Sequence, residues 1–140
     1  MSRFVVDASV AIKWFLPEVH DMHARRLLTG GHALLVPDLL FPEVGNILRK
    51  RVQRNDITAT EADTILQTLG SLPLEVSPSW PLVTVALTIA CHAGRTVYDS
   101  LYLALAIREK TQMVTADEKL YNALQTSPLV SVILWVEKIP

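Results

Sequence analysis

Arg3-Phe4-Val5-Val6-Asp7-Ala8-Ser9 decides how the rest of the chain is read. Phe4, Val5 and Val6 are three β-favouring residues in a row, with no polar residue alternating between them. Such a run suits a central strand covered by helices on both faces. It stops on a carboxylate, Asp7, and a helical pattern begins at once. Open α/β sheets place their ligands at the C-terminal ends of their strands. Alone, Asp7 reads as a helix cap, a role typically worth ~0.5–2 kcal/mol, before it reads as a catalyst. The question is which other acids reach the same edge.

Working outward, residues 8–16 read as a short helix closed by Pro17, and residues 19–28 as a second helix stopped by Gly30-Gly31. A short buried strand over 33–36 leads into a long helix over 39–54, with Leu40, Val44, Ile47, Leu48 and Val52 at helical spacing. Pro42 lies in the first turn of that helix or breaks it there. Thr58 or Thr60 caps the next helix, to about residue 69, and Thr58 with Glu61 has the capping-box form. A small strand over 74–76 and an apolar helix over 80–92 follow, the helix stopped by Gly94. Next come a helix over 99–110, a strand over 113–115, a short helix over 116–124 and a last strand over 130–136. Residues Leu101, Leu105 and Ile107, or Tyr102, Leu103 and Ala106, form the inward face of the 99–110 helix. Strands alternating with helices predict βαβ units. The expected fold is α/β: one domain over residues 1–140, a three-layer α/β/α sandwich around a central parallel sheet of about five strands.

Composition sets the outer bounds. The 140 residues are 50% hydrophobic, with 13 Lys and Arg against 14 Asp and Glu, a net charge of −1. Mean hydropathy is +0.30. The chain is too apolar for disorder and has no overall basic footprint for nucleic acid, so local patches would have to serve. One cysteine, Cys91, excludes an internal disulfide framework and is expected to be buried. No signal peptide is visible, and the longest apolar run, 80–91, is shorter than the ~20 residues that span a bilayer. A cytoplasmic protein with no membrane role is expected. The excess of apolar residues points to a partner or self-association surface.

In a parallel sheet all strand-to-helix turns open on one edge. Asp7 and Asp117 each follow a strand, Asp99 begins a helix after an extended Thr96-Val97 piece, and Glu43 lies near the start of the long helix. Strand neighbours are ~4.8 Å apart, so side chains from adjacent tips can share a metal. Each acid singly is adequately explained by capping or helix polarity. Together, clustered carboxylates repel one another and are tolerated most readily around a divalent cation. Oxygen-only ligands select Mg2+ or Mn2+ over zinc, and such metals serve phosphodiester hydrolysis. No Gly-rich phosphate loop and no G-x-S-x-G elbow occur. The four histidines have no zinc spacing.

Four pieces in order carry a family resemblance: Val5-Val6-Asp7-Ala8-Ser9; Pro37-Asp38-Leu39 with Glu43-Val44-Gly45-Asn46-Ile47-Leu48; Tyr98-Asp99-Ser100-Leu101-Tyr102-Leu103-Ala104-Leu105-Ala106; and Val114-Thr115-Ala116-Asp117-Glu118-Lys119-Leu120. The chain resembles the PIN-domain ribonucleases, and among them the VapC toxins of toxin–antitoxin pairs. That resemblance implies a Mg2+- or Mn2+-dependent endoribonuclease that inhibits growth. It implies Asp7, Glu43, Asp99 and Asp117 as metal-binding catalytic acids, Asp7 and Asp99 foremost, with Ser9, Asn46 and Thr115 in support. It also implies RNA cleavage to a 5′-phosphate and a 3′-hydroxyl, a homodimer, and a VapB-type antitoxin that seats in a groove of the early helices.

Arg49, Lys50, Arg51 and Arg54 crowd the end of the long helix and are candidate RNA contacts, besides serving the helix dipole. Arg25-Arg26 forms a smaller basic pair, and Arg95 is placed to touch substrate or to pair with an acid. The alternatives are a PIN nuclease of RNA processing with no toxin role, a catalytically dead PIN-like domain, and a receiver-like Mg2+-binding signalling module. The presence of all four acids argues against the dead domain. Asp7 followed by Ala8, with no acid pair after the first strand, argues against the receiver.

Overall fold

The computed structural model describes residues 2–140. Its strands are β1 (Arg3–Val6), β2 (Ala33–Pro37), β3 (Glu75–Ser77), β4 (Gln112–Thr115) and β5 (Ile133–Trp135). Its helices are α1 (Ala8–Ala11), α2 (Asp21–Thr29), α3 (Leu40–Gln53), α4 (Ala59–Ser71), α5 (Val83–Ala93), α6 (Val97–Arg108) and α7 (Glu118–Leu124). The strands form one sheet in the order β3-β2-β1-β4-β5, and every pairing is parallel. The α/β fold with a five-stranded parallel sheet is thus as expected.

β1 lies at the centre, with Val5 opposite Leu35 on one side and Met113 on the other. Phe4, Val5 and Val6 are all buried, which is why the strand carries no polar alternation. The chain winds from β1 to β2 and β3, then crosses back to β4 and β5 on the other side. The order therefore reverses between β1 and β4, the position where open α/β sheets leave a crevice.

α6 fills that crossover. Every residue from Ser100 to Ala106 is buried, because the helix lies between α5 and the sheet. Both alternative inward faces read from sequence are therefore buried, except for Ile107, which is 43% exposed. A helix hydrophobic all round is a buried helix, and no single stripe exists to be found.

Several boundaries differ from the sequence reading. The first helix is a single α-helical turn that tightens into a 3₁₀ turn over Ile12–Trp14. The 80–92 helix begins as a 3₁₀ turn over Trp80–Leu82, with Pro81 in its first positions. The 99–110 helix starts earlier, at Val97, because Thr96 is the extended residue and caps it through its hydroxyl. The last strand is only Ile133–Trp135, since Pro128 opens a 3₁₀ turn over Pro128–Val132. Pro42 does not break α3; as its third residue it sits where its missing N–H costs nothing. Thr58 caps α4 in a full capping box with Glu61. Cys91 is exposed rather than buried. α5 buries Ala86 and Ile89, and at ~100° per residue Cys91 falls on the far side.

Leu103 is fully buried at the centre of α6. Leu103→Ala is expected to cost ~2–5 kcal/mol by loss of contacts and the cavity left behind. Urea denaturation should show it as a lower midpoint at unchanged slope.

Candidate active site

Asp7 stands one residue past β1, its backbone N–H reaching the Val114 carbonyl of β4 at 3.4 Å. Its carboxylate is buried, with the residue only 6% exposed. Oδ1 accepts from the Ser9 hydroxyl at 2.5 Å and from the Val10 amide at 3.2 Å, while Oδ2 accepts from the Thr115 hydroxyl at 2.6 Å. Asp7 is thus the N-cap of α1 as well as part of the cluster at the strand tips. The Ser9 hydroxyl also accepts from the Ala116 amide at 2.9 Å, which ties the end of β1 to the end of β4.

Asp117 follows β4 and caps α7, accepting from the Leu120 amide at 3.2 Å. Its own N–H donates to the Thr115 hydroxyl at 3.1 Å. Asp99 is the third residue of α6, its amide held by the Thr96 hydroxyl at 3.0 Å. α6 precedes β4 and runs against it, so its N-terminus opens on the same edge as the strand ends. Glu43 is in the first turn of α3, immediately after β2. Glu43, Asp7 and Asp117 therefore follow three adjacent strands.

The acids feel one another. Burial, foremost, pushes the Asp7 carboxyl up to about 6, the charge of Asp117 adds to this, and the bonds from Ser9, Thr115 and Val10 oppose it. Glu43 is raised by burial and by the Asp99 charge, and Asp99 by burial and by the Asp117 charge. Arg95 opposes the rise at Asp99 through an ion pair, its Nη2 3.3 Å from Oδ2.

Among the described residues no three His, Cys, Asp or Glu side chains close around a single point as a metal cage would. Three of the acids are instead engaged by other side chains: Asp7 by Ser9 and Thr115, Glu43 by Tyr102, and Asp99 by Arg95. The chemistry of the donors nonetheless suits a hard divalent cation, since all four are carboxylates and three are raised by burial and mutual charge.

Tyr102 was legible only as a packing residue, yet its hydroxyl donates to Glu43 Oε1 at 2.5 Å. It is 2% exposed, and burial and the Glu43 charge keep its hydroxyl protonated. The available signal was its spacing, three residues after Asp99 on one helical face. Lys13 was also missed: it is buried and pairs with Glu18 at 2.9 Å, and Glu18 in turn binds Arg51.

The basic cluster at the end of α3 is divided. Lys50 lines a cleft with Glu43 and Asn46. Arg49 donates to Asn46 Oδ1 at 3.1 Å, Arg51 is tied to Glu18, and Arg54 is exposed beyond the helix end. Arg25 pairs with Asp21 on its own helix.

The family model described as the PIN domain matches residues 4–123. The chain belongs to the PIN-domain family. It is 32% identical over 120 residues to Ribonuclease VapC3 of Pyrobaculum aerophilum, covering 84% of this chain and 92% of that one. In fold it is similar to the crystal structure of PAE2754 from Pyrobaculum aerophilum, with a TM-score of 0.73 at 24% identity over 97% of this chain and 85% of that one. It also matches the fold in the structure of VapBC2 from Rickettsia felis bound to a DNA fragment from their promoter. There the TM-score is 0.65 at 14% identity, over 95% of this chain and 98% of that one.

The raised Asp7 sets a sign for stability. A carboxyl whose folded pKa lies above its unfolded value is stabilising in its protonated form, and that contribution is lost as pH rises through the folded value. Here the window runs from the ordinary 3.8 to about 6. Without added metal, Asp7→Asn should gain stability over the parent as pH rises through this window, by ~3 kcal/mol at most. Urea midpoints of the two proteins that stay parallel from pH 4 to pH 7 would contradict it (about one unit beyond the window at the upper end).

Proposed function

We propose that this chain is a Mg2+- or Mn2+-dependent endoribonuclease, the toxin of a VapBC-type pair. The observation that carries the reading is the set of four acids on one edge of the sheet, Asp7 buried and Glu43, Asp99 and Asp117 half-buried, whose charges repel one another. Membership in the PIN family, with a relative named as a VapC ribonuclease, supports the activity.

Asp7 and Asp99 would hold the metal chiefly, with Glu43 and Asp117 completing the coordination. Bound there, a divalent cation would supply neutralising charge and activation of a water for attack on phosphorus. Ser9 and Thr115 fix the Asp7 carboxylate so that it need not reorient. Tyr102 does the same for Glu43. Arg95 screens Asp99 and would release it as a cation enters. Lys50 lines the same cleft as Glu43 and would hold a substrate phosphate, positioning RNA without reading its sequence.

A VapB-type antitoxin is the proposed protein partner, in keeping with the VapBC2 relative. Val19 just before α2 and Met22 in its first turn are both 73% exposed and offer apolar contacts for it. Residues 80–94 contain no charged side chain at neutral His, and Trp80, Val85 and Leu87 are exposed there, which supports a homodimer. No helix among the described residues is long and apolar enough to cross a membrane. A cytoplasmic site of action accords with an RNA substrate.

Two tests follow from this reading. Asp7→Asn and Asp99→Asn should each keep the fold by circular dichroism, yet lower Mn2+-dependent RNA cleavage by at least ~100-fold and remove growth inhibition. Undiminished cleavage in both would refute the site. For the dimer, light scattering should find the parent as a dimer and Leu87→Glu as a monomer. A monomeric parent would remove that part of the proposal.

A further inference from the structure

Tyr98 is the residue next to Asp99, and it faces outward. Its neighbours from Ser100 to Ala106 are buried, whereas Tyr98 is 60% exposed. It does not stand on open surface. Together with α3 it bounds an open cleft of about 420 Å³. Leu39, Pro42 and Ile47 give this cleft apolar walls, and Glu43, Asn46 and Lys50 supply its polar groups. Glu43 thus belongs both to the cleft and to the carboxylate cluster.

We infer that this cleft seats one unstacked base of single-stranded RNA, with Tyr98 as its stacking platform. The inference rests on the ribonuclease reading and names the substrate element bound beside the scissile phosphate. Every base presents a flat π face, and an exposed aromatic ring in a partly apolar cleft is the usual way to hold one without regard to sequence. The volume is that of a small-ligand site. Lys50 adds a cation on the wall of the same cleft, suited to the phosphate flanking the base.

Asn46 gives the cleft a polar group for the edge of the base. Its Oδ1 accepts from Arg49 Nε at 3.1 Å, which leaves its amide NH2 to donate to a base acceptor. The shared Glu43 joins the cleft to the carboxylates. A base on Tyr98 places its backbone beside the carboxylates, so the cleft acts on the nucleotide adjoining the cut. An unstacked base is available in loops and single strands and not within a duplex.

The test uses the full chain, without metal for binding and with Mn2+ for cleavage. The probe is a short single-stranded RNA of random sequence that carries 2-aminopurine. Quenching of 2-aminopurine on binding reports stacking on the protein. Tyr98→Ala is expected to bind roughly tenfold more weakly and to lose the quenching, while Tyr98→Phe keeps both. In cleavage, Tyr98→Ala should raise KM far more than it lowers kcat. Lys50→Ala should reduce the salt dependence of binding by about 0.7 of a unit of slope, the value for one phosphate contact on a single strand. Thermal melts matching the parent exclude a folding defect.

Unchanged RNA affinity and unchanged quenching in Tyr98→Ala overturn the inference, including the case in which that variant loses only self-association or antitoxin binding. A parent that cleaves RNA while Tyr98→Ala keeps its KM refutes the base site alone. A parent that neither binds nor cleaves RNA with Mn2+ refutes the ribonuclease reading, and the base site falls with it.

Discussion

A carboxylate buried at the tip of the central strand is the constraint on which the rest of this molecule depends. Asp7 is 6% exposed, and burial disfavours its charged form strongly enough to raise its carboxyl to about 6. Three donors counter that cost: the Ser9 hydroxyl, the Val10 amide and the Thr115 hydroxyl. They come from two elements, so the carboxylate is satisfied only when β1 and β4 lie side by side. The bond from the Ala116 amide to Ser9 closes the same link from the other direction. The strand pairing and the chemical group therefore specify each other.

The parallel sheet then determines what surrounds Asp7. Glu43 follows β2, Asp117 follows β4, and the N-terminus of α6 delivers Asp99 to the same edge. α6 is buried from Ser100 to Ala106, so the position of Asp99 is fixed by core packing rather than by a surface loop. The same helix supplies Tyr102, whose hydroxyl holds Glu43 of α3. One helix thus presents an acid, positions a second acid and carries Tyr98 on its exposed first turn. Rigid elements of this kind hold side chains more closely than loops do.

The strand and the shared edge are legible in the sequence because one is local and the other is a rule of parallel sheets. Phe4-Val5-Val6 before Asp7 identifies a buried strand, and parallel topology gathers the acids from the other strand ends. Other features have causes that sequence periodicity does not carry. α6 has no polar face, so neither of its two candidate stripes could be preferred, and both proved buried apart from Ile107. Cys91 has the pattern of a core residue within an apolar run, but α5 is covered on one side only, and its other side leaves Cys91 and Leu87 exposed. The last strand was read too long because β-branched residues also populate the 3₁₀ turn that Pro128 begins. The cluster of basic residues on α3 looked uniform in sequence. A long-range partner, Glu18, engages Arg51, whereas Lys50 lines the cleft beside Glu43.

The central claim is that the four carboxylates form a divalent-cation site built around Asp7. Calorimetric titration of Mn2+ into the full chain at pH 6, near the raised value of Asp7, tests it most directly. Saturable binding accompanied by proton release is expected, because metal binding displaces protons from carboxyls that are partly protonated at that pH. Asp7→Asn, folded and otherwise intact, should lose both the binding and the release. Mn2+ binding of undiminished affinity in Asp7→Asn, or no saturable binding by the parent chain, would contradict it.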